Sequence, residues 1–145
     1  MRHRKRGRKL NRTASHRRAL LRSLTCHLFR AYGGRGYIVT TAEKAKTCRG
    51  FAEGLITLAK KGDLASRRLA VARLGGEKGV VKKLFDEIAP AYSERHGGYT
   101  RILRTSRRRL GDAAREVLFG FTPHEGSRGK SDGEKPGKAA ESEKE

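Results

Sequence analysis

Residues 97–121 open as Gly97-Gly98-Tyr99-Thr100-Arg101-Ile102-Leu103 and close as Arg115-Glu116-Val117-Leu118-Phe119-Gly120-Phe121. The first run follows a glycine pair and is of strand type. The second alternates, placing Val117, Phe119 and Phe121 on one side. Two such runs in succession predict an antiparallel hairpin. Their connection, Thr105 to Ala114, holds Arg107-Arg108-Arg109 and Gly111-Asp112, so it is expected as a basic loop held away from the core. Upstream, Tyr37-Ile38-Val39-Thr40 is a third short run of strand composition, entered through the glycine-rich turn Gly33-Gly34-Arg35-Gly36.

The remaining segments have helical periodicity. Leu20, Leu21, Leu24, Leu28 and Tyr32 form one apolar stripe, predicting a first helix from a Ser15 N-cap to about Tyr32. Thr40 and Glu43 have the spacing of a capping box before a second helix, whose inward face is Ala45, Cys48, Phe51, Ala52, Leu55, Leu58 and Ala59. Asp63 caps a third helix ending near Leu74. A fourth, after Gly75-Gly76, turns Val81, Leu84, Phe85 and Ile88 inward and is limited by Pro90. The expected class is α+β, with about four helices packed on a small mixed β-sheet. Residues 1–14 form an extended basic arm, 15–122 the globular domain, and 123–145 a disordered mixed-charge tail.

Composition narrows the function. The 145 residues include 35 Lys and Arg against 15 Asp and Glu, a formal charge of +20. A folded domain needs a net charge of only roughly 2 to 8 for solubility. The excess implies a polyanion, and nucleic acid fits best because every phosphate neutralised releases counterions. No apolar run approaches the roughly 20 residues of a bilayer span, and no signal segment opens the chain, so a cytoplasmic protein without a membrane partner is expected. The tail from Gly126 balances five basic residues with five acids, so the binding charge lies before it. Too little of the tail is apolar to offset the entropy of ordering it.

The candidate contacts follow that charge. Met1 to Arg30 carry eleven basic residues and no acid. Arg2, His3, Arg4, Lys5, Arg6, Arg8, Lys9, Asn11 and Arg12 suit a segment threaded between RNA helices. His16, Arg17, Arg18 and Arg22 extend that surface along the first helix, where guanidinium groups grip phosphates bidentately. Arg104, Arg107, Arg108 and Arg109 are expected on phosphates, because a loop has no packing use for them. Tyr99 with Arg101 admits two readings, stacking on an unpaired base or ordinary burial.

Other chemistries find no support. His3, His16, His27, His96 and His124 are scattered without a second ligand at metal spacing. Cys26 and Cys48 are too few for a zinc site and read as small core residues. Asp86 and Glu87 balance Lys82 and Lys83 rather than hold Mg²⁺. The glycines at 33–36 lack the Lys and Ser/Thr of a nucleotide loop. No catalytic set, cofactor, metal or small-molecule substrate is expected. The rivals to RNA binding are a DNA-compacting architectural protein and an RNA-processing enzyme.

Ordered motifs then add a resemblance. Met1-Arg2-His3-Arg4, Leu10-Asn11-Arg12, Ser15-His16-Arg17, Thr40-Thr41 with Lys44-Ala45-Lys46, and Leu55-Ile56-Thr57-Leu58-Ala59-Lys60 come first. Arg67-Arg68-Leu69-Ala70, Lys83-Leu84-Phe85-Asp86-Glu87, Gly97 to Leu103, and Arg109 with Gly111-Asp112-Ala113 follow. In this order they resemble the bacterial large-subunit ribosomal protein L seventeen family, from Met1 to about Thr122. The resemblance implies a structural constituent of the large subunit. It would bind folded large-subunit ribosomal RNA, neighbour other large-subunit proteins near the polypeptide exit region, and support subunit assembly and translation. The tail exceeds the family's common length.

Overall fold

A computed structural model describes residues 7–123. The expected arm contacts Arg2, His3, Arg4, Lys5 and Arg6, and the tail from residue 124 onward, lie outside the described residues. The elements run α1 (Ala14–Arg30), β1 (Tyr37–Thr41), α2 (Ala42–Ala59), α3 (Leu64–Leu74), α4 (Lys78–Lys83), a π-helical turn (Leu84–Ile88), α5 (Ala89–Ala91), β2 (Thr100–Arg108) and β3 (Arg115–Phe121).

α1 starts from Thr13, not Ser15. Thr13 is extended and its hydroxyl accepts the His16 N–H at 3.4 Å. The reason lies just upstream. Arg12 N–H donates to the Lys9 carbonyl at 3.2 Å across Leu10 and Asn11, both with positive φ (54° and 50°). This reversal is a tight turn rather than an extended arm, and the residue that follows it becomes the cap. Leu28 and Phe29 are fully buried, and Leu21, Leu24 and Tyr32 pack partly buried beside them.

α2 is the spine of the core. Ala45, Cys48, Ala52, Leu55, Ile56 and Ala59 recur at helical spacing and are buried, with Phe51 and Leu58 at the margin. Ile56 escaped the sequence pattern, yet it is completely buried. The expected capping box does not form, because Thr40 is spent on the β1 ladder opposite Val117 and Thr41 takes the N-cap position. The strand therefore runs into the helix with no intervening loop. Both cysteines are buried and unpaired. Cys48 Sγ lies 3.2 Å from the Thr25 hydroxyl, and burial pushes both thiols above their ordinary pKa. Such thiols are weak nucleophiles and weak ligands.

Asp63 holds the N-cap position of α3 as expected. The helix ends on Gly75 in the left-handed region (φ 75°), with Gly75 N–H on the Ala72 carbonyl and Gly76 N–H on that of Val71. That pair of bonds is a Schellman motif, and the Cβ-free residue makes it inexpensive. The fourth helical segment does not stop at Pro90. Ala89 N–H reaches back five residues to the Leu84 carbonyl. This wider π turn accommodates a ring that cannot donate and would crowd a normal α-turn. The helix thus continues to Ala91, with Val80, Val81, Leu84, Phe85 and Ile88 buried. Asp86 pairs with Arg67 and Glu87 with Lys83.

The sheet order is β1-β3-β2, and both pairings are antiparallel, where a mixed sheet was expected. Ile38, Phe119 and Ile102 lie in one cross-strand row, and Val117 follows on the same face, turned toward α2. The opposite face carries the row Val39, Leu118, Leu103, with Val39 56% and Leu103 45% exposed. Glu53 of α2 clamps sheet to helix: one carboxylate oxygen accepts the Thr100 hydroxyl at 2.9 Å and its N–H at 3.3 Å.

Candidate nucleic-acid interface

The expected contact residues separate into those engaged by the fold and those left for a partner. Tyr99 belongs to the core. It is 2% exposed, its ring meets Tyr92 edge-on at 5.6 Å, and its hydroxyl lies 3.5 Å from that of Thr57. A ring packed on this side and covered by Lys60 offers no face to a base. The base-stacking reading of Tyr99 therefore gives way to ordinary burial. Arg101, two positions on, points from the opposite, solvent-facing side beside Tyr37 and Gly120.

Along α1 the basic face is partly occupied. Arg22 reaches across to α3, where Nε donates to the Arg73 carbonyl at 2.9 Å and a terminal nitrogen approaches the Ala72 carbonyl at 3.4 Å. It satisfies the Arg73 carbonyl at the helix end and adds to the bond that the Ala72 carbonyl already accepts from Gly75. Arg17 folds back onto the carbonyls of Lys9 and Arg12 at 3.5 and 3.4 Å, and Arg12 meets His16. These contacts fix the turn at 9–12 against the helix. Arg8 lies 3.8 Å from Glu43. Lys9, Asn11 and Arg18 are exposed.

The hairpin differs from expectation in a way that matters for binding. β2 runs to Arg108, so Thr105 to Arg108 are strand and only residues 109–114 form the loop. A bulge between Arg104 and Arg108 is bridged by the Thr105 hydroxyl, which donates to the Glu116 carbonyl at 2.8 Å. A strand places its basic side chains at fixed intervals, as a flexible loop would not. Beyond the bulge Arg108 stands directly opposite Arg115. Like charges in that position destabilise a ladder unless an anion lies between them. Arg109 instead pairs with Asp112. That guanidinium first, and then the Ala114 N–H, hold the Asp112 carboxyl down at about 2. This clasp shapes the tip and presents Leu110, 98% exposed.

Among the described residues, no carboxylate comes within ion-pair distance of Arg18, Arg101, Arg104, Arg107, Arg108 or Arg115. Sequence reasoning overlooked Arg115, as well as Lys46 and Arg49 on α2. The first was counted within a core strand and the others within an apolar helix; Arg115 is exposed because it begins β3, beyond the buried run Val117 to Phe119. Among the described residues there is no cluster of three metal-ligating side chains, and no helix long and apolar enough to cross a membrane.

A compact α+β domain whose hairpin and first helix carry unpaired guanidinium groups is a protein built to lie against a polyanion. The family Ribosomal protein L17 matches residues 20–122, and the chain belongs to that family. Its relatives include the large ribosomal subunit protein bL17 of Thermus thermophilus, 54% identical over 114 residues, which are 79% of this chain and 92% of the relative. The protein of the same name from Fusobacterium nucleatum is 53% identical over 119 residues, covering 82% and 97%. That of Lawsonia intracellularis is 48% identical over 122 residues, covering 84% and 93%.

Proposed function

We propose that this protein is a structural constituent of the large ribosomal subunit, binding and stabilising folded large-subunit ribosomal RNA in support of assembly and translation. It is not an enzyme and uses no cofactor. The observation that carries the reading is the β2–β3 hairpin: Arg104, Arg107, Arg108 and Arg115 lie on its two strands with no acidic partner among the described residues, and Arg108 directly faces Arg115. A phosphate backbone supplies the charge that this arrangement lacks. Family membership supports the same conclusion.

Three parts share the work. The N-terminal segment, with Arg2, His3, Arg4, Lys5, Arg6, Arg8, Lys9 and Asn11, enters the RNA. The domain from residue 15 to 122 buttresses RNA through Arg18, Arg101, Arg104, Arg107 and Arg108. The tail from 123 lies outside that contact. Arg12, His16, Arg17, Arg22 and Arg109 shape the surface through their contacts within the chain. Neighbouring large-subunit proteins are further partners, and the apolar row Val39, Leu118, Leu103 is a surface on which one could bury area.

The test is sedimentation of a lysate carrying the tagged full chain, at low magnesium to separate the subunits, followed by a moderate-salt wash. About one copy per large subunit is expected. Free protein, or protein released by DNase but not by RNase, overturns the reading. Reversing Arg4, Arg6 and Arg8 to Glu should impair incorporation while the melting temperature stays within about 2 °C of wild type, since such surface changes alter stability little.

A further inference from the structure

A groove of about 320 Å³ opens between α2 and the inner face of β2 and β3, lined by Ala42, Lys46, Arg49, Ile102, Arg104 and Val117. We propose that it seats a single nucleotide of the ribosomal RNA, the ribose and base lying on the apolar floor and the phosphate held by the three cations. This inference rests on the ribosomal reading above and deepens it to a particular site.

The groove combines two chemistries that a nucleotide needs together. Ala42, Lys46 and Arg49 follow one another at four and three residues, so they line one face of α2. Opposite them the half-buried Ile102 supplies carbon surface from the inner face of the sheet, over the buried Val117. The volume is at the small end of ligand sites, enough for one nucleotide and too little for a duplex.

Arg49 is already positioned. Its Nε donates to Glu53 at 3.1 Å, and the same Glu53 oxygen is pinned by the Thr100 N–H and hydroxyl. The Glu53 contact runs through Nε, so the terminal nitrogens keep the fork geometry that matches a phosphate. Lys46 and Arg104 have no carboxylate within ion-pair distance among the described residues. The groove's rim is therefore net cationic even after Glu53 is counted.

β2 is an edge strand, so a peptide strand is the competing occupant. Two features favour RNA. The bulge between Arg104 and Arg108 interrupts the flat edge that an added strand would need, and Arg104 and Lys46 place positive charge where such a strand would pass.

Two measurements test the site on the full chain. In purified large subunits, acetylation of the Lys46 amine, read by mass spectrometry, should be strongly suppressed relative to the free protein and restored by RNase. A reactive Lys46 in the subunit, or protection that survives RNase, overturns the proposal, the latter pointing to a protein occupant. Absence of the chain from the subunit overturns this inference together with the reading beneath it. Second, Lys46→Glu with Arg104→Glu, both at exposed positions, should flatten the slope of log affinity against log salt on refolded large-subunit RNA by about 1, since the one phosphate seated there contributes nearly one. An unchanged slope in this variant, with the slope of the arm variant still reduced, removes the groove and leaves the ribosomal role standing.

Discussion

Gly120→Ala tests the packing of the sheet most sharply. Gly120 lies in the central strand, opposite Tyr37 on one side and Arg101 on the other. A Cβ there would sit 2.7 Å from Tyr37 Cβ, 2.8 Å from the Gly36 carbonyl oxygen and 3.2 Å from Tyr37 Cα. Two of the three atoms are backbone, and that carbonyl also accepts the Phe121 N–H at 3.0 Å. The new methyl must push the start of β1 away from β3 by several tenths of an ångström and strain that bond. Overpacking of this kind costs about 1–3 kcal/mol. Removing a glycine from the unfolded chain returns about 0.5–1 kcal/mol. A net loss of about 1–2 kcal/mol follows, or roughly 4–8 °C in melting temperature by calorimetry or circular dichroism. Gly54→Ala is the matched control: it lies within α2, an added Cβ meets nothing within 4 Å, and it should gain up to about 1 kcal/mol. If Gly120→Ala melts at or above wild type, the close approach of β1 to β3 is not what the structure implies.

Three further outcomes are expected. Arg22→Ala uncaps the end of α3 and should cost about 0.5–1.5 kcal/mol in denaturant unfolding, while leaving the salt slope of RNA binding unchanged because its guanidinium faces carbonyls. Asp112, held at about 2 against an ordinary 3.8, stabilises the hairpin tip above about pH 4, and the effect fades as the pH falls through 2. An NMR titration of the loop amides should follow that window, and Asp112→Asn should abolish it. Tyr92, whose hydroxyl donates to the Thr122 carbonyl at 2.7 Å, has its phenol pushed up by burial. Its contribution is complete below about pH 10 and is lost as pH rises, because the unfolded chain ionises first. Tyr92→Phe should cost about 1 kcal/mol at neutral pH and flatten the alkaline limb of a stability profile.

Much of the fold is written locally. The periodicity of α2, the Asp63 position, the Gly75-Gly76 stop and the alternation of Val117, Phe119 and Phe121 depend on neighbours within a turn or a strand, and each appears where the pattern puts it. The polyanion-binding character is equally local, because net charge is a sum over residues and ignores their arrangement. What escaped sequence reading depends on long-range competition. Thr40 could cap a helix or pair in a sheet, and the distant Val117 decides for the sheet. Pro90 reads as a stop until the π turn over Leu84–Ile88 gives its ring room.

The candidate site divides along the same line. Composition and their place outside any apolar pattern mark Arg104, Arg107 and Arg108 as cations free of the core, but not that β2 would extend through them and bring Arg108 opposite Arg115, which follows from strand register. Arg22 and Arg109 are chemically indistinguishable from those residues in sequence. Only folding brings Arg22 to the end of a helix some 50 residues away and closes Arg109 onto Asp112. Lys46, Arg49 and Ile102 likewise become one groove only when α2 lies against β2. The sequence alone determined element type, core composition and the sign of the partner, because these are sums or short-range periodicities. Tertiary structure decided which cations are spent within the protein and which remain for RNA, because that choice depends on which acids and carbonyls the chain brings within about 3 Å.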